Sequence, residues 1–112
     1  MTLAQLVNDI GFEAVTGSIS MDRHIKSGYV SDLLSDVIAN IEEDSVWITI
    51  QRHINILGVA KLRDTVAIII PRNLQIEESF IEKAREEDIA ILRGPWTAFE
   101  ISGLIYNALK RG

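Results

Sequence analysis

The fold of this chain is decided by the stretch Val46-Trp47-Ile48-Thr49-Ile50-Gln51-Arg52-His53-Ile54-Asn55. It begins with β-branched and aromatic residues, which favour a strand, and its polar residues follow where that strand should end. Two further apolar runs, at residues 65–70 and 89–92, also end abruptly in arginine-containing turns. Strands that are apolar on both faces and alternate with helical segments are typical of a parallel sheet covered on both sides.

Segments with helical periodicity lie between and around these strands. Together with the strand patterns they predict about five helices and five strands. The last helix has the clearest signal, because Thr97 and Glu100 have the spacing of a capping box and Trp96 and Ile101 that of a hydrophobic staple. A short strand is predicted at residues 12–15, and a strand or extended arm at residues 24–30. We therefore expect an α/β fold, with a mostly parallel five-stranded sheet flanked by helices on both faces.

The chain has 112 residues and shows no linker, repeat or low-complexity segment, so we expect a single domain spanning residues 1–112. Hydrophobic residues make up 47% of the sequence, and the mean hydropathy is +0.17. A chain this small does not easily bury so much apolar surface, so a homodimer with an apolar interface is predicted. The alternative is a tightly packed monomer with an ordinary apolar surface.

Charge and cysteine content exclude several classes of function. The net charge is −5, so no overall field favours binding to nucleic acid or to an anionic membrane. There is no cysteine, hence no disulfide, no thiol nucleophile and no thiolate metal site. No signal peptide and no apolar run of about 20 residues is present, so a soluble cytoplasmic protein is expected.

Known catalytic patterns are missing from the sequence. None of its seven glycines precedes the Lys-Ser or Lys-Thr pair of a phosphate-binding P-loop. The Gly-x-Ser-x-Gly motif of many serine hydrolases is also absent. The two histidines do not have the spacing of metal ligands. The sequence therefore predicts no enzyme activity, no metal and no cofactor.

Three arginines form the strongest candidate for a site. Arg52, Arg72 and Arg93 each follow a predicted strand directly or closely, so a parallel sheet would bring them to its carboxyl edge, where ligands bind in open α/β sheets. Like charges about 5 Å apart repel unless an anion or acidic partner offsets them. His53 and the helix start near Asn55, the predicted capping residue of that helix, would add donors. The alternative is three surface arginines with their charged ends in water.

Two further residues allow both a structural and a ligand-binding role. Asp32 (or its neighbour Ser31) stands where it could cap a helix, and from that position its carboxylate could also bind a ligand amine or hydroxyl. His53 could tie the corner between strand and helix or contact a ligand directly. Trp96 could stack on an aromatic ligand, although the staple with Ile101 explains it without one.

Three segments of the sequence resemble the DRTGG-domain family: residues 28–37, residues 47–56, and the segment Phe99-Glu100-Ile101-Ser102-Gly103-Leu104-Ile105-Tyr106. The resemblance spans about residues 3–109 and is that of a stand-alone DRTGG domain. It implies an α/β sandwich related in fold to the N-terminal domain of HPr kinase/phosphorylase. Domains of this family are often homodimers with a regulatory or ligand-binding role, and some lie near genes for iron-only hydrogenase maturation.

The chain departs from the family pattern at one place. The pattern has Thr-Gly-Gly after the second apolar strand, where this sequence has Pro71-Arg72-Asn73. It therefore lacks the glycine pair that would allow the backbone to approach a ligand closely.

Two hypotheses follow from the residues and the resemblance together. The first is a non-catalytic regulatory domain, a homodimer that binds a small anionic ligand, such as a nucleotide, or an acidic partner segment at the carboxyl edge of the sheet. Its binding residues would be Arg52, His53, Asn55, Arg72, Arg93 and Asp32. The second is a protein-interaction or scaffold module without a small ligand.

Overall fold

A computed structural model describes residues 1–111. These residues form five helices and five strands. The helices are α1 (Leu3–Ile10), α2 (Leu34–Asn40), α3 (Asn55–Leu62), α4 (Glu78–Glu86) and α5 (Ala98–Arg111). The strands are β1 (Glu13–Ala14), β2 (Ser27–Val30), β3 (Ser45–Ile48), β4 (Ala67–Ile70) and β5 (Ala90–Arg93).

All five strands belong to one sheet with the order β1-β5-β4-β3-β2. Strands β2 to β5 are parallel, and only β1 is antiparallel to its neighbour β5. Every residue of β3 and β4 is buried, as the apolar runs in the sequence predict. The expected mostly parallel, five-stranded α/β fold is confirmed.

The helices cover both faces of the sheet in unequal numbers. Because β2, β3, β4 and β5 follow one another across the sheet, right-handed crossovers place α2, α3 and α4 on the same face. Their buried side chains pack with Trp47, Ile68, Ile70 and Ile91. Helices α1 and α5 cover the other face, where they pack with the alternate strand residues, among them Val46, Ile48, Ile69 and Leu92. The molecule is a three-layer sandwich.

The two edges of the sheet differ. Strand β1 has only two residues, and Glu13 within it pairs with Arg93 of β5. A very short, charged strand is one of the ways in which proteins protect a sheet edge from further pairing. Strand β2 forms the other edge. It has four residues without a charge and, within residues 1–111, pairs only with β3.

Each of the three crossovers returns to the sheet through an aspartate with a left-handed backbone: Asp44 (φ 60°), Asp64 (φ 53°) and Asp88 (φ 60°). Aspartate adopts this conformation more readily than most residues with a side chain. Arg23 joins two of the three turns, because its Nη2 lies 2.9 Å from Asp44 Oδ1 and 3.3 Å from Asp64 Oδ1. This contact links Arg23 to the turns before β3 and β4, at the amino end of the sheet.

Among residues 1–111, no helix combines the length and the apolar character needed to cross a membrane.

Edge strand β2 is tied to α2 by a side-chain hydrogen bond. The hydroxyl of Tyr29 donates to Asp36 Oδ2 at 2.8 Å. This bond stabilises the Asp36 carboxylate and lowers the pKa of Asp36 below its ordinary value of 3.8. It also raises the pKa of Tyr29 above 10.0, since the phenol must keep its proton to donate.

Replacing Tyr29 by phenylalanine should raise the pKa of Asp36 toward 3.8, as measured by NMR titration of the carboxyl carbon. A depressed carboxyl pKa stabilises the folded state above the unfolded-state pKa and loses this effect as pH falls through the folded-state value. The difference in unfolding free energy between wild type and Tyr29→Phe should therefore be present at pH 7 and shrink below about pH 4.

Tyr106→Phe is the matched control, because the Tyr106 hydroxyl forms no hydrogen bond within residues 1–111. It should leave both the Asp36 titration and the unfolding curve unchanged. An unchanged Asp36 pKa in Tyr29→Phe would contradict the assigned bond.

Candidate functional site

The carboxyl ends of β3, β4 and β5 lie side by side, as the sequence predicts, because these strands are parallel neighbours in the sheet. Arg52 and Arg72 follow β3 and β4 within a few residues, and Arg93 is the last residue of β5. The structure thus brings the three arginines to one edge. Their side chains nevertheless have different partners.

Arg93 is neutralised within the chain. Its Nε donates to Glu13 Oε1 at 3.0 Å and its Nη2 to Glu13 Oε2 at 3.3 Å, while Nη1 donates to the carbonyl oxygen of Leu74 at 3.2 Å. A guanidinium held on two sides by one carboxylate and a carbonyl has little capacity left for an external anion. The repulsion expected among the arginines is thus reduced at Arg93 by Glu13 of β1.

The crevice between β4 and β5 is closed by its own backbone. Helices α4 and α5 leave these adjacent strands toward opposite faces of the sheet, an arrangement that in open α/β sheets creates a ligand crevice. Here the two loops are joined by backbone hydrogen bonds of 2.8 Å from Arg72 N to Trp96 O and from Asn73 N to Gly94 O. A ligand entering at this point would have to break both bonds.

Trp96 completes this closure. Its ring packs at right angles to Phe12, with the centroids 5.5 Å apart. A Cβ atom at Gly94 would lie only 2.5 Å from the Trp96 ring, so only glycine fits beneath the indole. Trp96 and Ile101 belong to the same apolar cluster, in agreement with the predicted staple. Core packing therefore accounts for this tryptophan without a stacked ligand.

Arg72 has an exposed side chain and a strained backbone. Its φ is 56°, and that of Asn73 is 48°, so two consecutive residues adopt the left-handed conformation. These are the positions at which the DRTGG pattern has its glycine pair. The backbone conformation at these two positions suits glycine, yet the chain carries side chains there. For an arginine this conformation costs about 1–2 kcal/mol.

Asp32 does not cap a helix, so that interpretation of its position was wrong. Helix α2 begins at Leu34, and its capping position is Leu33, with no side-chain hydrogen bond. Instead, Asp32 Oδ1 accepts from Thr49 Oγ1 at 2.8 Å and from Ile50 N at 2.9 Å. These bonds hold the chain as it leaves β3.

Arg52 lines an open cleft of about 420 Å³ together with Ile50, Gln51, His53, Gln75 and Glu77. Its Nε donates to the carbonyl oxygen of Ile50 at 3.1 Å, and its Nη1 donates to that of Gln75 at 2.8 Å. Two neutral acceptors thus hold the guanidinium in place without balancing its charge. Within residues 1–111 no carboxylate lies within 4.0 Å of it.

The His53 side chain ties the corner between β3 and the following helix. The Nδ1 of His53 accepts from Asn55 N at 3.2 Å, and Asn55 is the first residue of α3. The prediction that Asn55 is the capping residue was wrong, because Asn55 is already the first residue of α3 and Ile54 occupies the capping position. With Nδ1 accepting, the proton of a neutral His53 lies on Nε2, where it can be donated.

Sequence reasoning missed Gln75, Glu77 and Glu13. Gln75 supplies a carbonyl oxygen rather than a side chain to Arg52, and no sequence pattern predicts such a contact. The short strand predicted at residues 12–15 contains Glu13, but its antiparallel pairing with β5, which places Glu13 beside Arg93, could not be read from the sequence. Among residues 1–111, no three histidine, aspartate or glutamate side chains lie close enough together to hold a metal ion.

Comparison with known proteins supports the fold. No protein-family model matches the sequence, and no curated protein matches it. A solved structure, the CBS and DRTGG domains of the regulatory region of Clostridium perfringens pyrophosphatase complexed with its activator diadenosine tetraphosphate, is similar with a TM-score of 0.68 and 16% identity. The match covers 93% of this chain and 45% of that one. The chain therefore has a DRTGG-like fold.

Replacing Arg72 by glycine should stabilise the protein. Release of the left-handed strain, about 1–2 kcal/mol, exceeds the entropy that an extra glycine adds to the unfolded state, about 0.5–1 kcal/mol. Urea unfolding should show a net gain of about 0.5–1 kcal/mol. Asn73→Gly should gain less, because asparagine tolerates this conformation better.

Arg72→Ala separates the backbone effect from the charge, because it removes the guanidinium but keeps a Cβ at φ 56°. It should not stabilise the protein. Equal stabilisation by Arg72→Ala and Arg72→Gly would show that charge, not backbone strain, is responsible.

Proposed function

We propose that this chain is a regulatory domain without a catalytic role of its own, which binds a small phosphate-bearing anion, such as a nucleotide, at the carboxyl edge of its sheet and works as a homodimer. The observation that carries the proposal is the state of Arg52. Its guanidinium is positioned by two carbonyl oxygens, lacks a carboxylate partner among residues 1–111, and lines an open cleft.

The cleft can bind an anion at its Arg52 side. The Nη2 group of Arg52 has no acceptor within the described chain, and Nε2 of a neutral His53 adds a second donor. The amide of Gln51 already donates to the carbonyl oxygen of Asp32 at 2.9 Å, so it shapes the wall rather than binding. A guanidinium that is already oriented loses less entropy on binding phosphate than a free arginine would.

Glu77 limits where the anion can lie. It stands at the capping position of α4, makes no capping hydrogen bond, and lines the same cleft. Its negative charge opposes a phosphate on that side, so the anion should lie toward His53 and away from Glu77. The remaining candidates contribute less: Arg93 is paired with Glu13, Asp32 holds the loop after β3, and Asn55 does not line the cleft and has its backbone N–H bonded to His53.

The similar pyrophosphatase fragment supports the choice of ligand class. Its regulatory region is described in complex with the activator diadenosine tetraphosphate, a nucleotide with several phosphates. We propose that the present chain binds a ligand of the same chemical class. The residues that bind it need not correspond, since the two chains are only 16% identical.

Calorimetric titration with diadenosine tetraphosphate, ATP, AMP and inorganic phosphate tests the proposal. Binding of at least one nucleotide should weaken tenfold or more in Arg52→Gln, since a hydrogen bond to a charged group contributes about 1.5–3 kcal/mol. Glu77→Gln should strengthen it, because a repelling charge is removed.

Arg85→Gln is the matched control, because it changes the net charge by the same amount as Arg52→Gln. Arg85 lies on α4, near Glu78, and does not line the cleft. It should bind like wild type. Absence of binding by all four compounds, or equal affinity in Arg52→Gln and wild type, would show that the cleft is not an anion site.

We assign the proposed dimer interface to the exposed side of α5. Phe99 is 88% exposed, Tyr106 is 63% exposed, and both line a shallow apolar depression with Leu104 and Gly103. A helix of a second copy could approach closely at Gly103, which has no Cβ. Large exposed apolar side chains on one helix are typical of an interaction surface.

Phe99→Glu should shift the protein to a monomer in sedimentation velocity. In a two-fold interface the substitution acts twice, and each buried phenylalanine contributes about 1.5–3 kcal/mol, so the dissociation constant should rise at least about 100-fold. Leu62→Glu on α3 is the control, because Leu62 is 72% exposed but lies on the opposite face of the sheet. A wild-type protein that is still monomeric at about 100 µM would contradict the dimer, because its dissociation constant would then be weaker than about 10⁻⁴ M.

The same side of α5 also favours a second candidate function, a protein-interaction module without a small ligand. This function would be favoured if Phe99→Glu abolished partner binding while Arg52→Gln had no effect on any ligand.

A further inference from the structure

A second cavity lies away from the carboxyl-edge cleft, between edge strand β2 and helix α5. It is a groove of about 410 Å³, and its floor and walls are mostly apolar. Gly28 deepens it in the middle: a Cβ atom there would point toward Ile105, 3.8 Å from its Cγ2. Val30 lies at one end and is 52% exposed, which is unusual for a valine in a sheet.

The backbone of β2 is open along this groove. Lys26 N donates to Asp44 O at 2.8 Å, toward β3. In a parallel pair alternate residues bond to the same neighbour, so Ser27 and Tyr29 direct their N–H and C=O groups away from the sheet. No described residue pairs with them. The strand contains neither proline nor a charge, so it lacks the usual features that block pairing at an edge.

One end of the groove is positively charged. Lys26 and Lys110 both line it, and no carboxylate among residues 1–111 does. Neither lysine forms an ion pair with a residue in the range 1–111; the ammonium of Lys110 lies 5.2 Å from the centre of the Tyr106 ring. In a chain with a net charge of −5, two lysines without an acidic neighbour in the same groove indicate an acidic binding partner.

We propose that this groove binds an extended acidic segment of a partner protein, which adds to the sheet as a sixth strand beside β2. Its backbone pairs with Ser27 and Tyr29, an apolar side chain enters the groove over Gly28, and a carboxylate meets Lys26 and Lys110. This is the β-augmentation mode of peptide recognition, in which the main chain supplies affinity and side-chain pockets supply specificity.

A second copy of this chain fits the groove less well. Its β2 strand carries no carboxylate in Ser27–Val30 and would bring its own Lys26 and Lys110 to the same edge. Like charges facing each other across an interface are unfavourable. The site also shares no residue with the Arg52 cleft, so this inference can fail or hold independently of the proposed nucleotide binding.

NMR titration of the ¹⁵N-labelled full chain tests the proposal. The probe is a terminally blocked seven-residue peptide in which a glutamate at each end flanks alternating valine and threonine residues. We expect saturable shifts at the amides of β2 and the C-terminal half of α5. The amides of Ser27 and Tyr29, which should exchange rapidly in the free protein, should become protected in the complex.

Two altered peptides separate the contributions. Replacing both glutamates by lysine should weaken binding at least tenfold, because the lysine pair then repels the peptide. Methylating alternate backbone nitrogens should weaken binding by a similar factor, because it removes the hydrogen bonds to β2 without changing charge. Equal binding of the methylated peptide would overturn the sixth-strand arrangement.

Variants of the protein provide the complementary test. Ser27→Pro removes one outward N–H, a change that a free edge strand tolerates, and should abolish the protection at β2. Lys110→Glu should reverse the preference between acidic and basic peptides, whereas Lys83→Glu on α4 makes the same charge change on the other face and should have no effect. If Ser27→Pro does not fold, the methylated peptide still decides the question.

Two results would overturn the proposal. One is the absence of any change in the amide chemical shifts of β2 at about 1 mM peptide, a concentration that would detect even a weak complex. The other is protection of the Ser27 and Tyr29 amides that rises with protein concentration alone, because a second copy would then occupy the edge.

Discussion

The structure depends on the burial of both apolar faces of one sheet beneath five helices. Strands β3, β4 and β5 carry apolar side chains on both faces, and each exposed face would cost a large part of the stability of so small a chain. The strands from β2 to β5 follow one another in sequence, so the crossover helices all lie on one face. The other face is left to the two terminal helices. Helix α5, with 14 residues the longest, lies against β2 and β3 and beside α1.

This arrangement also determines which part of the carboxyl edge remains open. The two helices that leave β4 and β5 diverge, but the loops between strand and helix are joined by backbone hydrogen bonds and covered by Trp96. Between β3 and β4 the helices leave toward the same face, and a cleft remains beside Arg52. The region of the sheet where this fold would ordinarily be expected to bind a ligand is thus closed, and the available cation lies one strand further along.

Much of the fold could be predicted, because apolar runs of four to six residues and helical periodicity depend on local sequence alone. The parallel sheet, the five helices and the capping box at Thr97 and Glu100 follow from such patterns. The convergence of Arg52, Arg72 and Arg93 on one edge followed from strand direction. What the sequence could not provide were the partners of these side chains, which come from distant segments.

Particular residues show why. Arg93 is paired with Glu13, 80 positions away in sequence, and is therefore not available to a ligand. The two-residue strand β1 places Glu13 there. Asp32 and His53 were recognised as polar groups near an element boundary, but the donors that they accept from depend on how the loops after β2 and β3 fold back. The groove beside β2 was not predicted either, because whether a strand lies at an edge is a property of the whole sheet.

The difference between the two edges of the sheet has a consequence for assembly. Proteins with two accessible edges can join end to end without limit, which is how strand pairing leads to filaments. Here β1 is too short and too charged to accept a neighbour, and only β2 remains. A partner that docks on β2 therefore extends the sheet on that side only, because the β1 edge of this chain does not accept a further strand.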